Sequence, residues 1–460
     1  MERNTIKVKI KTLTPLWTGD AEAKCSELKL TGIIGSLRWW FEALVRGMGY
    51  NVCDSTGHKC EVEIKKPEDA LHIQDKICPV YYLFGTTGWK SRFSVKILNN
   101  NLSKPYNGKV VVDIGSGGDW HYESGLMGDV DLEFDYEDQI LTKDSKSLHL
   151  KEVFPSILKI LLYLIGEYGM LGAKTSMGYG VVKFQINGED ITVGAQDWEN
   201  FKNYLEFFKD NFYCENFQGN FQGKQDKKIK NNLKTLPNLE SMFFIKFGIQ
   251  DEIGTIIGKM KTFYKYQDGV VEGDVDRWKN SGWVITSPIV RKCIRCIFRG
   301  KYSERVCSVK RDCERNYWWS YRRGNTRNNS NYRDNLTIDK LNLTKEDVTE
   351  IRHFLMGKVS RDNTRFSAIQ VSHVYQNGDN LEFRIYGWLP NIKPLKGNVN
   401  EILELLNSLF TDTPWNDIIP SQIQEGICWN GSNLSLIQIG NNSDKNKERV
   451  KELFVKNGGE

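Results

Sequence analysis

The sequence predicts an α+β protein with more than one domain. A chain of 460 residues exceeds the usual size of a single domain, and its hydrophobic content of 40% is enough for packed cores. Residues 5–13 alternate apolar and lysine side chains, as a half-buried strand does. Residues 30–46 instead carry apolar side chains at helical spacing. Strands and amphipathic helices are therefore expected together in one core.

A polar segment at residues 196–235 divides the chain. Because it contains few apolar residues, we predict a linker or mobile loop there, a first unit at 1–195 and a second unit at 236–460. The second unit begins with an apolar strand at 242–248. It continues with a helix at 283–298, a hairpin whose turn is at 377–379, and an amphipathic helix at 402–410.

Composition excludes several classes of protein. No apolar run approaches the length of a membrane-spanning helix, and the first ten residues show strand alternation without the features of a signal peptide. The ten cysteines are then expected to be thiols or metal ligands of a cytoplasmic protein. A net charge of +5 is weak support for nucleic-acid binding, so local clusters of charge matter more.

The most unusual segment is a glycine-rich loop at residues 169–180, which we call the glycine loop. Four glycines, Lys174, Thr175 and Ser176 lie between an apolar helix pattern at 157–165 and a strand pattern at 181–186. A nucleotide-binding P-loop is disfavoured because Ala173 precedes the lysine and the helix comes before the loop. Two interpretations remain open. The glycines form an ordinary tight connection, or they let the backbone approach an RNA chain.

Soft metal ligands cluster between residues 53 and 78. Cys53, His58, Cys60 and Cys78 could bind a structural zinc ion, and His72 could replace His58. The spacing lacks a pair of cysteines separated by two residues, so unrelated thiols in a loop are an equally open interpretation.

Basic side chains concentrate in four places. Arg38 lies between small residues and Trp39 and is a candidate phosphate ligand, whereas we expect Arg46 to be a solvated surface charge. Gly85 and Thr86 precede Lys90 and Arg92, whose spacing would place both on one face of a strand. Residues 291–333 combine many basic residues with aromatic ones, a pattern that suits either RNA contact or a folded insertion at 299–345 with its own core. A further basic group surrounds Gly357.

Three segments resemble the RAMP superfamily, and more closely subunit one of Cmr, the type III-B CRISPR RNA-guided effector complex. They are Thr31–Trp40, Cys78–Phe93 and the end of the glycine loop at Met177–Gly180. The middle segment is the most specific of the three. The chain departs from the family at Tyr81, where a second cysteine is often present, which weakens a family-type metal site.

The resemblance implies two tandem ferredoxin-like (RRM-type βαββαβ) units and a non-catalytic RNA-binding role. The partners would be the CRISPR guide RNA near its 3′ end, the target RNA and other Cmr-complex subunits, and the cofactors none beyond a possible structural zinc. The residues expected to bind RNA, from the resemblance and the basic clusters together, are Arg38, Gly85, Thr86, Lys90, Arg92, Gly172, Ala173, Lys174, Thr175, Ser176, Gly178, Arg291, Arg295, Lys358, Arg361 and Arg365.

An RNA endonuclease of the same superfamily is the alternative. Metal-free RNA cleavage needs a general acid or base, for which His121 and His373 are the candidates, although neither lies in a recognisable motif. The glycine loop gives a separate expectation. Valine at Gly172 or Gly178 should weaken RNA binding and leave the fold intact, because a connecting loop does not fill a core.

Overall fold

The computed structural model describes residues 3–50, 52, 62–66, 70, 73–113, 119–143, 145–208, 236–297, 344–357, 367–389 and 419–428. Within them, helices pack against antiparallel sheets, which confirms the α+β class. The predicted helix at 402–410 and most of the predicted linker and insertion lie outside the described residues.

The first unit contains a five-stranded antiparallel sheet. The strands of the first unit are β1 (Arg3–Thr12), β2 (Phe93–Asn100), β3 (Lys109–Val112), β4 (Trp120–Glu123), β5 (Asp129–Glu137), β6 (Ile140–Lys143), β7 (Lys146–His149), β8 (Val182–Ile186) and β9 (Glu189–Asp190). The five-stranded sheet has the spatial order β2-β5-β1-β8-β9, so the first strand lies in the middle, while β6 pairs with β7, and β3 pairs with β4 in another sheet. The helices are α1 (Leu30–Gly47), α2 (Pro79–Phe84), α3 (Leu150–Glu167) and α4 (Ala195–Glu206), with 3₁₀ turns at Ile73–Asp75 and Thr175–Met177.

One face of this sheet forms the core of the first unit. Alternate residues of β1 and β5 are buried, and the apolar stripe predicted for α1 is buried as well. Helix α3 packs against β8 and α4. Because α4 buries Trp198, Phe201 and Tyr204, the predicted linker is wrong at its start, where the chain is helical and packed.

The elements of the second unit are β10 (Met242–Ile249), α5 (Ile253–Lys261), β11 (Tyr264–Gln267), α6 (Glu272–Ser281), β12 (Trp283–Val284), α7 (Ser287–Ile297), α8 (Lys345–Met356), β13 (Ile369–Val371), β14 (Val374–Asn377), β15 (Asn380–Trp388) and β16 (Ser421–Cys428), preceded by a 3₁₀ turn at Leu239–Ser241. Its six-stranded sheet has the order β12-β14-β15-β10-β16, with β13 also paired to β15. The part β14-β15-β10-β16 repeats the order β2-β5-β1-β8 of the first sheet, because in each set the strands that come second, third, first and fourth in the chain lie side by side.

A third sheet joins the two units. Strand β11 of the second unit pairs with β3 of the first, and β3 pairs with β4. Helix α1 reaches the second unit as well, since the Trp40 ring lies 5.2 Å from that of Tyr386 and 6.3 Å from that of Phe244. The proposed boundary near residue 236 therefore separates two units that share a sheet and an aromatic core.

Candidate nucleic-acid interface

The glycine loop leaves the end of α3, folds over the first unit and enters β8. Its two arms close on each other where the Leu171 N–H donates to the Gly180 carbonyl at 2.7 Å. The Gly172 N–H donates to Ser36 Oγ at 2.9 Å, and the Ala173 N–H to the Trp17 carbonyl at 2.8 Å. The order helix, loop and strand is as the sequence predicts, and the loop is anchored to the β1–α1 connection at Trp17 and to α1 at Ser36.

Two glycines are required by close packing. Gly178 has φ 101°, and a Cβ there would lie 2.4 Å from His373 Nδ1. Gly172 has φ 85°, and its Cβ would lie 2.6 Å from the Trp17 carbonyl oxygen. Real Cβ atoms do not approach this closely, and positive φ disfavours β-branched residues. The expectation that valine at these positions leaves the fold intact is therefore wrong.

The inner side of the loop contacts the second unit. Ser287 Oγ donates to the Met177 carbonyl at 2.6 Å, and the His373 N–H donates to the Gly178 carbonyl at 3.3 Å. Thr175 Oγ1 donates to Gln370 Oε1 at 3.0 Å. Arg384 binds the segment where α3 ends and the loop begins, because its Nη1 donates to the carbonyls of Gly166 and Gly169 at 3.0 Å each.

The outer side of the loop, at Ala173–Ser176, is the part that a ligand could reach. Ala173 is exposed, and Lys174 lies with Nζ 3.2 Å from the centre of the Trp17 ring, a cation–π contact. Partial burial lowers the pKa of Lys174. Among the described residues, no acceptor is assigned to the backbone N–H groups of Thr175 and Ser176. Those two groups can donate to a phosphate, whereas the Ala173 N–H is already bonded.

Arg38 and Arg46 together enclose a buried carboxylate. Glu42 accepts from Arg38 Nε at 3.3 Å and from Arg46 Nη2 at 3.2 Å. Burial raises the pKa of Glu42, and the two guanidinium groups oppose that rise. Arg46 also donates to the Pro237 carbonyl at 3.0 Å and its side chain is 10% exposed, so the expectation of a solvated surface charge is wrong.

Arg38 connects α1 to the turn after α2. Its Nη1 donates to the Gly85 carbonyl at 3.3 Å, and its guanidinium carbon lies 4.3 Å from the centre of the Tyr81 ring. The side chain keeps 22% exposure. Arg38 therefore has a structural role at this turn and one partly open edge.

The turn at residues 85–92 precedes the strand instead of forming part of it. Thr86 and Trp89 exchange backbone hydrogen bonds, and β2 begins only at Phe93. The Arg92 guanidinium stacks on the Trp89 ring at 3.9 Å and donates to the Lys90 carbonyl. Lys90 itself is exposed. The prediction that Lys90 and Arg92 share one face of a strand is wrong, and Lys90 is the more accessible of the two.

The open face of the first sheet carries a ladder of charges. Strand β5 places acidic residues along it at every second position, and β1 places lysines opposite them. Ion pairs cross the strands from Lys9 to Asp129 at 3.2 Å and from Lys96 to Glu133 at 2.6 Å. Phosphates are repelled by the acidic residues, which are Asp129, Asp131, Glu133, Asp135 and Glu137.

The basic residues of α7 face inward. Arg291 is 4% exposed and donates to the carbonyls of Ile369 at 2.8 Å and Met356 at 3.2 Å. Burial lowers the pKa of Arg291 to about 10. Arg295 donates to the same Met356 carbonyl at 3.4 Å. Arg291 is thus held in the core, where RNA cannot reach it. Lys358, Arg361 and Arg365 lie outside the described residues, as does the remainder of the basic region from residue 298 to 343.

Of the proposed zinc ligands, one is described. Cys78 is fully buried at the start of α2, with its backbone carbonyl accepting from the Tyr82 N–H. Cys53, His58, Cys60 and the substitute His72 lie outside the described residues. In the described part of the chain, no three His, Cys, Asp or Glu side chains come together as a metal site.

The two candidate catalytic histidines have opposite surroundings. His373 is fully buried, and burial lowers its pKa to about 3. It packs between the Tyr122 and Trp283 rings, so it cannot contact RNA in this structure. His121 is exposed on β4. No helix in the described portion of the chain is both long and apolar enough to cross a membrane.

One family model matches the first unit. Residues 9–183 match the family model of the RAMP superfamily. Over these residues the match confirms the resemblance to the superfamily, and it runs from β1 to β8 and includes the whole glycine loop. No curated protein matches the chain.

Two solved structures are similar in part. One is a chain of a type IV-B CRISPR complex, with 16% identity and a TM-score of 0.26, covering 40% of this chain and 90% of that one. The other is a chain of type III-B Cmr-beta bound to cognate target RNA, with 12% identity and a TM-score of 0.30, covering 84% of this chain and 94% of that one.

The residues that hold the loop from the second unit are not among those predicted from the sequence. Ser287, Gln370 and Arg384 are buried, and each bonds to a backbone or side-chain atom more than 100 residues away. Such contacts depend on how the two units pack. The one local indication is the polar character of Gln370 and Arg384 in otherwise apolar strands.

Proposed function

We propose that this chain is a non-catalytic RNA-binding subunit of a type III-B CRISPR Cmr effector complex. It would bind guide RNA near its 3′ end and help to capture target RNA. The family match over residues 9–183 carries the proposal, together with the three segments that resemble the Cmr subunit. Partners in that role are guide RNA, target RNA and the other subunits of the complex.

The outer side of the glycine loop is the proposed RNA contact. The backbone N–H groups of Thr175 and Ser176 have no acceptor assigned among the described residues, and they directly follow Lys174 in the chain. Such a pair of donors next to a cation suits a phosphate of the RNA backbone, and contacts of this kind carry little sequence information. The exposed Lys90 could add a further phosphate contact.

The open face of the first sheet is a poor alternative path. RRM-type sheets bind RNA by stacking bases on outward aromatic residues. Here the outward positions of β1 and β5 carry lysines and carboxylates without an aromatic side chain. The same strand order in both large sheets supports two ferredoxin-like units, but the RNA would follow the loop side and not this sheet face.

Filter binding of single-stranded RNA over a series of salt concentrations tests the proposal. We expect affinity to fall steeply with salt, because each neutralised phosphate adds about 0.7 to the slope of log K against log salt. Lys174→Ala and Lys90→Ala should each weaken binding and reduce that slope by about 0.7. The matched control is Lys7→Ala, which removes an exposed lysine from the open sheet face.

Parent protein that binds RNA equally well at about 50 and 200 mM salt would refute an electrostatic backbone interface. A slope lowered as much by Lys7→Ala as by Lys174→Ala would place the RNA elsewhere on the molecule. RNA cleavage by the purified chain, abolished by His121→Ala, would refute the non-catalytic assignment.

A further inference from the structure

The glycine loop belongs to the first unit in sequence, but its inner side is bonded to the second unit. Three contacts reach it from different elements: Ser287 at the start of α7, Gln370 in β13, and His373 between β13 and β14. The same segment, Thr175–Gly178, carries both the two N–H groups without an assigned acceptor, those of Thr175 and Ser176, and these bonds to the second unit. A shift of the inner bonds must therefore move the donors.

Gln370 is the member of this group whose connection is easiest to trace. Its Oε1 accepts from Thr175 Oγ1 at 3.0 Å, and its Nε2 donates to the Ser367 carbonyl at 2.5 Å. Ser367 Oγ in turn donates to the Leu355 carbonyl at 2.7 Å, next to the end of α8. The Gln370 side chain is thus fixed by two hydrogen bonds and holds Thr175, the first of the two residues whose N–H groups have no assigned acceptor.

We infer that the second unit presents the RNA-binding loop of the first, with Gln370 as a positioning residue acting through Thr175. Gln370 is 7% exposed and lies behind the loop, so it does not touch the ligand itself. This inference rests on the proposed function for its effect on RNA. The inference further means that the loop without the second unit lacks the conformation that binds RNA.

The decisive comparison uses the two sides of one hydrogen bond. Gln370→Leu removes the acceptor, and Thr175→Val removes the donor while keeping a side chain of similar shape. Gln370→Leu should weaken RNA binding about fivefold, the effect typical of one hydrogen bond. Thr175→Val should weaken it at least as much, because Thr175 also has a side-chain hydrogen bond with Tyr386, and the double variant should be no weaker than Thr175→Val. Thr175→Ser restores the donor and should bind like the parent.

The Tyr264→Phe variant is the control for general damage to the junction of the two units. Tyr264 Oη donates to the Ile285 carbonyl at 2.5 Å in the same buried region, away from the loop. The Tyr264→Phe substitution should lower the melting temperature without changing the dissociation constant for RNA. The active fraction of each variant is measured by titration at saturating protein, so that unfolded protein is not mistaken for weak binding.

A folded Gln370→Leu variant that binds RNA like the parent would overturn the inference. Equal weakening of RNA binding by Tyr264→Phe would overturn it as well. Hydrogen exchange at residues 173–178 gives a test that needs no RNA, because loss of the bond should speed exchange there in Gln370→Leu. If the parent binds no RNA, the proposed function fails, and unchanged exchange in that variant separately refutes the positioning role.

Discussion

His373 makes the stability of the protein sensitive to acid. The imidazole is fully buried, its Nδ1 lies 3.5 Å from the Ser287 N–H, and its Nε2 has no partner among the described residues. Charging it would place an imidazolium between the Tyr122 and Trp283 rings without a counter-charge. Burial accordingly lowers the pKa of His373 from 6.5 to about 3.

The size of the effect follows from the two pKa values. The folded state binds fewer protons than the unfolded state between pH 6.5 and about 3, so stability is complete above pH 6.5 and falls as the pH is lowered through that range. At pH 5 the unfolded histidine is almost fully protonated while the folded one is neutral. The loss in the free energy of unfolding there is about 2 kcal/mol relative to pH 8.

Urea unfolding at pH 8 and pH 5 measures this loss. His373→Gln keeps an acceptor for the Ser287 N–H but does not titrate, so its stability should fall by about 2 kcal/mol less than that of the parent over the same interval. His121→Gln, which replaces an exposed histidine, should keep the pH dependence of the parent. Equal losses in the parent and His373→Gln would refute the reasoning, since another group would then be responsible.

Three further predictions concern packing, charge and metal. Gly178→Ala should destabilise the protein by roughly 2–5 kcal/mol in urea unfolding, because positive φ and the His373 ring both oppose a Cβ, whereas Gly35→Ala, in an open helical position, should stabilise it by about 0.5–1 kcal/mol. Glu42→Gln should cost about 3 kcal/mol by leaving two arginines without their counter-ion, against less than about 0.5 kcal/mol for the exposed Glu22→Gln. Elemental analysis should find about one zinc per chain, lost in Cys60→Ser, and zinc-free protein prepared without chelator would end that proposal.

The sequence predicts the elements whose signal is local. Strand β1 and helices α1 and α3 are long and amphipathic or apolar, so their apolar residues reveal the buried side without knowledge of the rest of the fold. The pairing of β3 with β11, which joins the two units in one sheet, could not be predicted this way. β3 and β11 have four residues each, and their pairing joins positions about 150 residues apart.

Charged residues were the less predictable part of the site. The sequence predicts a solvated charge at Arg46 and an RNA contact at Arg291, yet each is held by backbone carbonyls of distant segments. A guanidinium group has five donors and can be satisfied by carbonyls, which leave no mark in the sequence pattern. Lysines of the glycine loop and of the turn after α2 were better candidates, because Lys174 and Lys90 remain at or near the surface.

The residue choices along the glycine loop reflect different demands on its two sides. On the inner side, Gly178 is required because a side chain would meet His373. On the outer side, Lys174 adopts φ 55°, a left-handed conformation that costs a residue with a Cβ about 1–2 kcal/mol relative to one in the right-handed region. Glycine would avoid that cost, so packing alone does not account for a lysine here. Its side chain must contribute something glycine cannot, either the contact with Trp17 or a positive charge next in the chain to the N–H groups of Thr175 and Ser176.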